Sequence, residues 1–299
     1  MDYHLSRFEL LKAMGGGRLK NPGILGVLDL WLWIWGTKLT DQASNTAKDR
    51  IYTAALVIIG NEVLSGRTKD ANTGFLGERL NALGVRLLEV RIVRDDYAAI
   101  AEAVNALRAR SDYVFTTGGI GPTHDDITAE AIARAFGVKL IEHPEAIARL
   151  ERHYASSQFT PARRRMARVP EGATLIDNPV SAAPGFRVEN VMVMAGVPKI
   201  MQAMFDGIAH ELTGGAPLLS RTVRTNLPEG RIAESLGVLQ EQFVDIEIGS
   251  YPHMNAMGPN VRVVLRGTNR DRLDTAVSAL AAELDALGGA AEEVDITVR

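Results

Sequence analysis

From Thr53 onward the chain alternates between short apolar runs and stretches of helical period, and that alternation restricts the fold more than any other feature. Ala54-Ala55-Leu56-Val57-Ile58-Ile59 has the length and branching of a buried strand. Phe75 to Leu83 carries apolar residues at helical spacing, with Gly84 placed as a cap. Val85 to Val93 reads as a second strand, Tyr97 to Ala109 as a second helix and Asp112 to Thr117 as a third strand. Strands joined by helical crossovers run parallel, and a parallel sheet needs helices on both faces. The expected class is therefore α/β. Ligands in such sheets bind beyond the carboxyl ends of the strands. The acid-bearing turns Asn61-Glu62, Asp95-Asp96 and Asp125-Asp126 all fall there.

After Gly137 the periodicity predicts helices over Pro144 to Tyr154 and Thr160 to Arg168. Phe186 to Glu189 and Val191 to Met194 form a predicted hairpin turning at Asn190, and Pro198 opens a helix running to about Leu212. Thr213-Gly214-Gly215-Ala216-Pro217 has the composition of a linker. Beyond it the order is strand (Leu218 to Arg224), helix (Glu229 to Gln242), strand (Val244 to Gly249), strand (Val261 to Arg266) and helix (Arg270 to Leu287), with a short last strand at Val294 to Val298. That order suggests a small α+β domain of split β-α-β type. The expected organisation is an extension over 1–50, an α/β domain over 51–213 and the small domain over 218–299.

The segment Thr116 to Glu130 concentrates the chemistry. A strand runs into Gly118-Gly119-Ile120-Gly121-Pro122, and the turn opens an amphipathic helix. Backbone N–H groups of such a turn, with a helix N-terminus behind them, hold anions such as phosphate. Asp125 and Asp126 sit at its lip, where a carboxylate can bind a divalent cation or orient an attacking water. The ordinary structural role for Asp126 is an N-cap, and position alone leaves the two readings even. Asp95-Asp96 has the same ambiguity, with Asp96 the expected cap before Tyr97. Asn72 and Thr73 are candidates to hydrogen-bond a ligand or to cap the next helix. Gly185 and Gly196 either let a ligand approach the backbone or are plain turn glycines. Arg163-Arg164-Arg165 with Arg168 reads as a solvated helix face, the alternative being a guanidinium clamp on a diphosphate. His124 has no second histidine at metal spacing. No nucleophile elbow, Ser-His-Asp order or Walker lysine is present.

Composition narrows the partners. Of 299 residues, 46% are hydrophobic and 23% charged, with net charge −3, so nothing global points to nucleic acid. The chain has no cysteine, which excludes disulfides, thiolate catalysis and Cys-ligated metal and fits a cytoplasmic setting. Ile24 to Trp35 is an apolar run broken by Asp29 and holds every tryptophan. It falls short of the roughly 20 residues a membrane span needs, and no small-residue cleavage site follows it. No stable membrane anchor is expected. The first fifty residues read as an extension ahead of a working protein that starts near Thr40.

Gly-Gly-x-Gly-Pro-(three residues)-Asp-x-Thr, here Gly118 to Thr128, resembles the signature of MoaB/Mog-type molybdopterin-binding domains, and Thr123-His124-Asp125-Asp126-Ile127-Thr128 resembles their CinA-like branch, which includes the front domain of eukaryotic FAD synthases. Further matching blocks follow in family order. They are Ile59 to Gly66 with Asp70 to Thr73, Leu80 to Gly84, Val93 to Asp96, Val169 to Ala173, Asn178 to Phe186 and Gly196 to Pro198. The resemblance implies a three-layer MoaB/Mog-like fold. It implies a pocket that takes a small-molecule nucleotide or pterin, and homo-oligomers by analogy. On the matching positions it implies a catalytic set of Asp126, Asp95 and Glu62, with a divalent Mg, Mn or Co ion on Asp126 and Asp95. The ligand would be held by Thr117, Gly118, Gly119, Gly121, Pro122, Thr123, Asp125, Asn72, Ser181, Pro184, Gly185 and Gly196.

Three departures stand out. Asn61 occupies a position where the family more often has aspartate, which removes a charge, Ser181-Ala182-Ala183 stands for the more usual Gly-Thr-Ala, and Ala195-Gly196-Val197-Pro198 stands for Pro-Gly-x-Pro. The implied activity is divalent-metal-dependent hydrolysis of ADP-ribose or an FAD-like dinucleotide. Alternatives are molybdopterin binding or adenylylation, and a non-catalytic nucleotide-binding module. CinA proteins carry an additional amidase domain that this sequence does not reach, so nicotinamide-nucleotide deamidation is not expected. Nor is FAD synthesis, which belongs to a separate domain in the eukaryotic enzymes.

Overall fold

The computed structural model describes residues 50–255 and 258–294. The expected N-terminal extension with its tryptophan run, and most of the expected strand at Val294 to Val298, lie outside the described residues. In chain order the first lobe contains β1 (Tyr52–Ile59), α1 (Asn61–Leu64), α2 (Asn72–Ala82), β2 (Val85–Val93), α3 (Tyr97–Arg108), β3 (Tyr113–Thr117), α4 (Thr128–Phe136), β4 (Leu140–Glu142), α5 (Pro144–His153), α6 (Pro161–Arg164), β5 (Arg168–Pro170), β6 (Thr174–Ile176), β7 (Gly185–Val188), β8 (Val191–Met194) and α7 (Pro198–Ile208). The main sheet has the order β2-β1-β3-β8-β7-β6. Its first four strands are mutually parallel, β7 runs against them, and β6 pairs antiparallel to β7.

Period-two alternation along β1 builds the three layers. Ala55, Val57 and Ile59 face one side and pack with Ile100, Val104 and Leu107 of α3 and Ile132 of α4. Ala54, Leu56 and Ile58 face the other side, against Leu76 and Leu80 of α2 and Met204 and Phe205 of α7. Burial of each Val, Leu, Ile, Met or Phe side chain among them contributes about 1.5–3 kcal/mol. Strand β1 therefore anchors both cores at once. The crossover through α2 leads to β2 on one side of β1, and the crossover through α3 returns to β3 on the other. That reversal opens a crevice at the carboxyl ends of β1 and β3, the topological switch point of the sheet.

The second lobe contains β9 (Leu219–Thr225), α8 (Glu229–Gln242), β10 (Glu247–Asn255), β11 (Gly258–Gly267), α9 (Arg270–Ala286) and β12 (Glu292–Glu293). Its sheet runs β10-β11-β9-β12 with every neighbouring pair antiparallel. This is the split β-α-β arrangement, with Ile232 and Leu239 of α8 and Leu273 and Leu280 of α9 packed on Val223, Val263 and Leu265.

The structure corrects several local expectations. The helix expected over Thr160 to Arg168 is α6 followed by a 3-10 turn, and Arg168 already belongs to β5, paired with Glu142 of β4. Strand β6, paired with β7, adds to the expected elements, because three residues are too few to show alternation. Strand β10 begins at Glu247 rather than Val244: Val244 is 83% exposed, while Ile246 turns into the core.

Candidate functional site

Each strand end in the crevice delivers one loop. At the end of β3, Gly118 and Gly119 adopt φ of 104° and 68°. A Cβ on Gly118 would collide with the Ile59 carbonyl oxygen, so only glycine lets β1 and the turn lie this close. Thr128, fully buried at the start of α4, locks the turn from behind. Its hydroxyl donates to the Gly118 carbonyl at 2.9 Å and its N–H donates to the Gly119 carbonyl at 3.1 Å. The Gly118 N–H donates to the Met194 carbonyl at 3.2 Å. Of the three turn glycines, Gly119 and Gly121 are thus the ones whose N–H groups suit an anion.

Asp126 does not cap α4. The cap residue is Ile127, without a side-chain bond. The Asp126 carboxylate instead turns back into its own loop, where Oδ2 accepts from the Thr123 N–H at 2.7 Å and from the Thr123 hydroxyl. Those bonds leave Oδ1 of Asp126 outside the loop's own network. Asp125 is exposed beside His124, its Oδ1 3.9 Å from the imidazole Nδ1.

Asp126, Glu62, Gly118, Gly119, Gly121, Pro122, Ser181 and Gly196 line one cavity of about 510 Å³. Pro184 lines a smaller annex next to Asp126, together with Arg165 and Arg168. The arginine cluster therefore divides. Arg164 is held by Glu142 at 2.9 Å, and Arg163 lies over the Tyr154 ring while donating to the Gln158 carbonyl, whereas Arg165 and Arg168 face the annex, Arg168 with its Nε 4.0 Å from Glu142. Arg164 in turn holds the Glu142 carboxyl below its ordinary value.

Asp95 reaches the site at one remove. Its Oδ2 accepts from the Asn61 N–H at 2.9 Å, fixing the turn that carries Glu62. Its neighbour Asp96 caps α3, accepting from the Ala99 N–H at 2.9 Å. That bond holds the Asp96 carboxyl below its ordinary value near 3.8. A depressed carboxyl contributes stability above its unfolded value and loses it as pH falls through the folded value. Asp96→Ala is therefore expected to be less stable than the native protein at pH 7, with the gap narrowing below pH 3.8 in denaturant titrations.

Other expected ligand residues fall into two groups. Asn72 is buried, its side-chain N–H donating to the Gly196 carbonyl at 2.9 Å, while Asp70 accepts from the Asn72 and Thr73 backbone. Asn72 is thus not a side-chain cap, and it lines a recess of about 50 Å³ together with Thr117. Gly185, by contrast, is buried at the start of β7, where a Cβ would meet the Val193 carbonyl and Met204. It serves strand packing, not ligand approach. Two residues beyond the expected set matter. Thr128 holds the glycine turn. Asn178 shapes the wall around Ser181, its side chain donating to Ser181 Oγ and the Ala183 carbonyl at 2.8 Å and accepting from the Val180 and Ser181 N–H groups at 3.1 Å. An Asn-Pro pair followed by small residues is a turn signal that could have flagged it.

Carboxylate oxygens are hard donors suited to Mg²⁺, Mn²⁺ or Co²⁺. Among the described residues, no group of three or more His, Asp and Glu side chains gathers to hold an ion. Asp126, with Oδ1 outside its loop's own bonds at the cavity wall, is a donor of the kind such an ion takes. Among the described residues no helix is long and apolar enough to cross a membrane.

A switch-point cavity floored by a glycine turn defines the class, and the chain belongs to the molybdopterin-binding domain family. Residues 55–214 match the family described as "Probable molybdopterin binding domain", and residues 217–289 match "FAD synthase, middle domain". Among solved structures, the CinA protein of unknown function from Thermoplasma acidophilum is similar, with 35% identity and a TM-score of 0.51, covering 53% of this chain and 96% of that one. A CinA-like protein of Citrifermentans bemidjiense is 36% identical over 231 residues, 73% of this chain and 54% of the relative. A protein named "Probable FAD synthase" from Caenorhabditis elegans is 30% identical over 254 residues, 76% of this chain and 49% of the relative. The chain spans about half the length of these two relatives.

Proposed function

We propose that the chain is a cytoplasmic nucleotide pyrophosphatase that hydrolyses the diphosphate of ADP-ribose or an FAD-like dinucleotide with the help of a divalent ion. The observation that carries this reading is the placement of the Gly118–Gly121 turn, Asp126 and Glu62 on one cavity. The volume suits a nucleotide-sized ligand. In this reading the Gly119 and Gly121 N–H groups hold a phosphate, with Arg165 and Arg168 adding positive charge from the annex. A bound divalent ion would neutralise phosphate charge and acidify water. Asp126, anchored through Oδ2, presents Oδ1 to orient that ion or the water. Asp95 acts at one remove, positioning the Asn61-Glu62 turn through its 2.9 Å bond. Glu62 is the carboxylate placed to take the proton as water bonds to phosphorus and the bridging P–O bond breaks, releasing two monophosphates. Catalysis of this kind rests on positioning and charge neutralisation.

A second reading, favoured by the family match over residues 55–214, is binding or adenylylation of a pterin in the same cavity. The purified protein is expected to release AMP from ADP-ribose or FAD with Mg²⁺, Mn²⁺ or Co²⁺, and to stop when EDTA removes the ion. Chromatography of the products, with ATP as a third substrate, checks it. Silence on all three substrates with every metal would sink the pyrophosphatase reading and transfer weight to pterin binding or a non-catalytic module.

A further inference from the structure

Two of the buried side-chain atoms without a hydrogen-bond partner, Asn72 Oδ1 and Thr117 Oγ1, belong to residues that line the same recess. Asn72 is 5% exposed and Thr117 1% exposed. The orientation of the Asn72 amide is set by its neighbour, because the Gly196 carbonyl can only accept, which fixes Nδ2 there and leaves Oδ1 as the second face. Buried polar atoms are nearly always partnered, and leaving them bare is costly. Valine would fill the Thr117 position of a buried strand without that penalty.

The recess opens beside the main cavity and shares Glu62 and Gly196 with it. Its volume of about 50 Å³ admits one small polar group or a water, and no ring. The carboxylates of Glu62 and Asp70 at its rim disfavour a phosphate there, with Lys69 the offsetting charge. An unpartnered acceptor and an unpartnered hydroxyl on residues lining one small space, next to the proposed diphosphate position, match a neutral group that both donates and accepts. We propose that the recess is the ribose subsite of the cavity, in which a sugar hydroxyl donates to Asn72 Oδ1 and accepts from the Thr117 hydroxyl. This rests on the nucleotide reading above and specifies which part of the ligand the sheet ends recognise.

Thr117→Val tests it, because the hydroxyl it removes makes no bond within the protein and the fold has nothing to lose. Calorimetric titrations with ADP-ribose, ADP and 2′,3′-dideoxy-ADP would be run on the native protein, Thr117→Val and Thr117→Ser. In the native protein the hydroxyl-bearing ligand binds about five- to tenfold tighter than its counterpart, whether ADP over dideoxy-ADP or ADP-ribose over ADP. Thr117→Val abolishes that ratio while leaving the weaker ligand's affinity unchanged, and Thr117→Ser restores it. If Thr117→Val binds every ligand with the native ratios, the recess holds only water and the subsite is overturned while nucleotide binding stands. If the native protein binds none of these ligands, both the subsite and the nucleotide reading fall together.

Discussion

Gly118→Ala is expected to destabilise the protein by about 3–5 kcal/mol, among the largest costs available to a single methyl group. Two separate penalties add at this position. The φ of 104° lies outside the region that L-residues adopt readily. The new Cβ would also run into the Ile59 carbonyl, which is backbone at the end of a strand held between β2 and β3, with Ile59 itself in register with Val93, so it cannot yield without disturbing β1. In a folded unit of this size each kcal/mol lowers Tm by roughly 2–4 °C, so a drop of about 6–20 °C is the expected reading in a thermal melt. Gly172 supplies the control. It has φ of 83°, but a Cβ added there would meet nothing within 4 Å, so Gly172→Ala carries only the dihedral strain. That strain costs about 1 kcal/mol. Equal losses for the two variants would mean that contact with Ile59 is not what reserves position 118 for glycine.

Asp126→Asn should separate chemistry from architecture. The amide oxygen of asparagine can still accept from the Thr123 N–H and hydroxyl, so the loop and the fold are expected to survive with Tm nearly unchanged. What disappears is the negative charge at the cavity wall. Under the pyrophosphatase reading that loss costs on the order of 10²–10³ in kcat, with a smaller change in KM, since the carboxylate serves the transition state more than ground-state binding. AMP release by the variant at the native rate would remove Asp126 from the machinery. A parallel collapse of Tm would instead assign it to the loop's structure.

Much of the first lobe was legible because its strands are long enough to show a period. β2 begins and ends where its apolar alternation does, at Val85 and Val93, and the hairpin at Asn190 follows from two four-residue runs on either side of a turn. Strands β4, β5 and β6, at three residues each, carry no readable period: β4 and β5 exist by pairing with each other, and β6 by adding to the open edge of β7. The site was legible as a set of positions but not as a set of roles. Whether Asp126 caps a helix or folds back depends on the Thr123 backbone three residues earlier, which local pattern does not decide. The case of Asn72 is more extreme, since only a contact with Gly196, 124 residues away, reveals that its side chain points inward.

That same contact has a kinetic consequence. A hydrogen bond joining residue 72 to residue 196 closes a loop that contains most of the parallel sheet, and the entropy of closing that loop must be paid before the contact rewards it. The cavity therefore comes into being only as the lobe completes itself. A molecule seated between the glycine turn and Asn72 would bind the finished sheet and nothing earlier, so its effect should fall on the rate of unfolding rather than on the rate of folding.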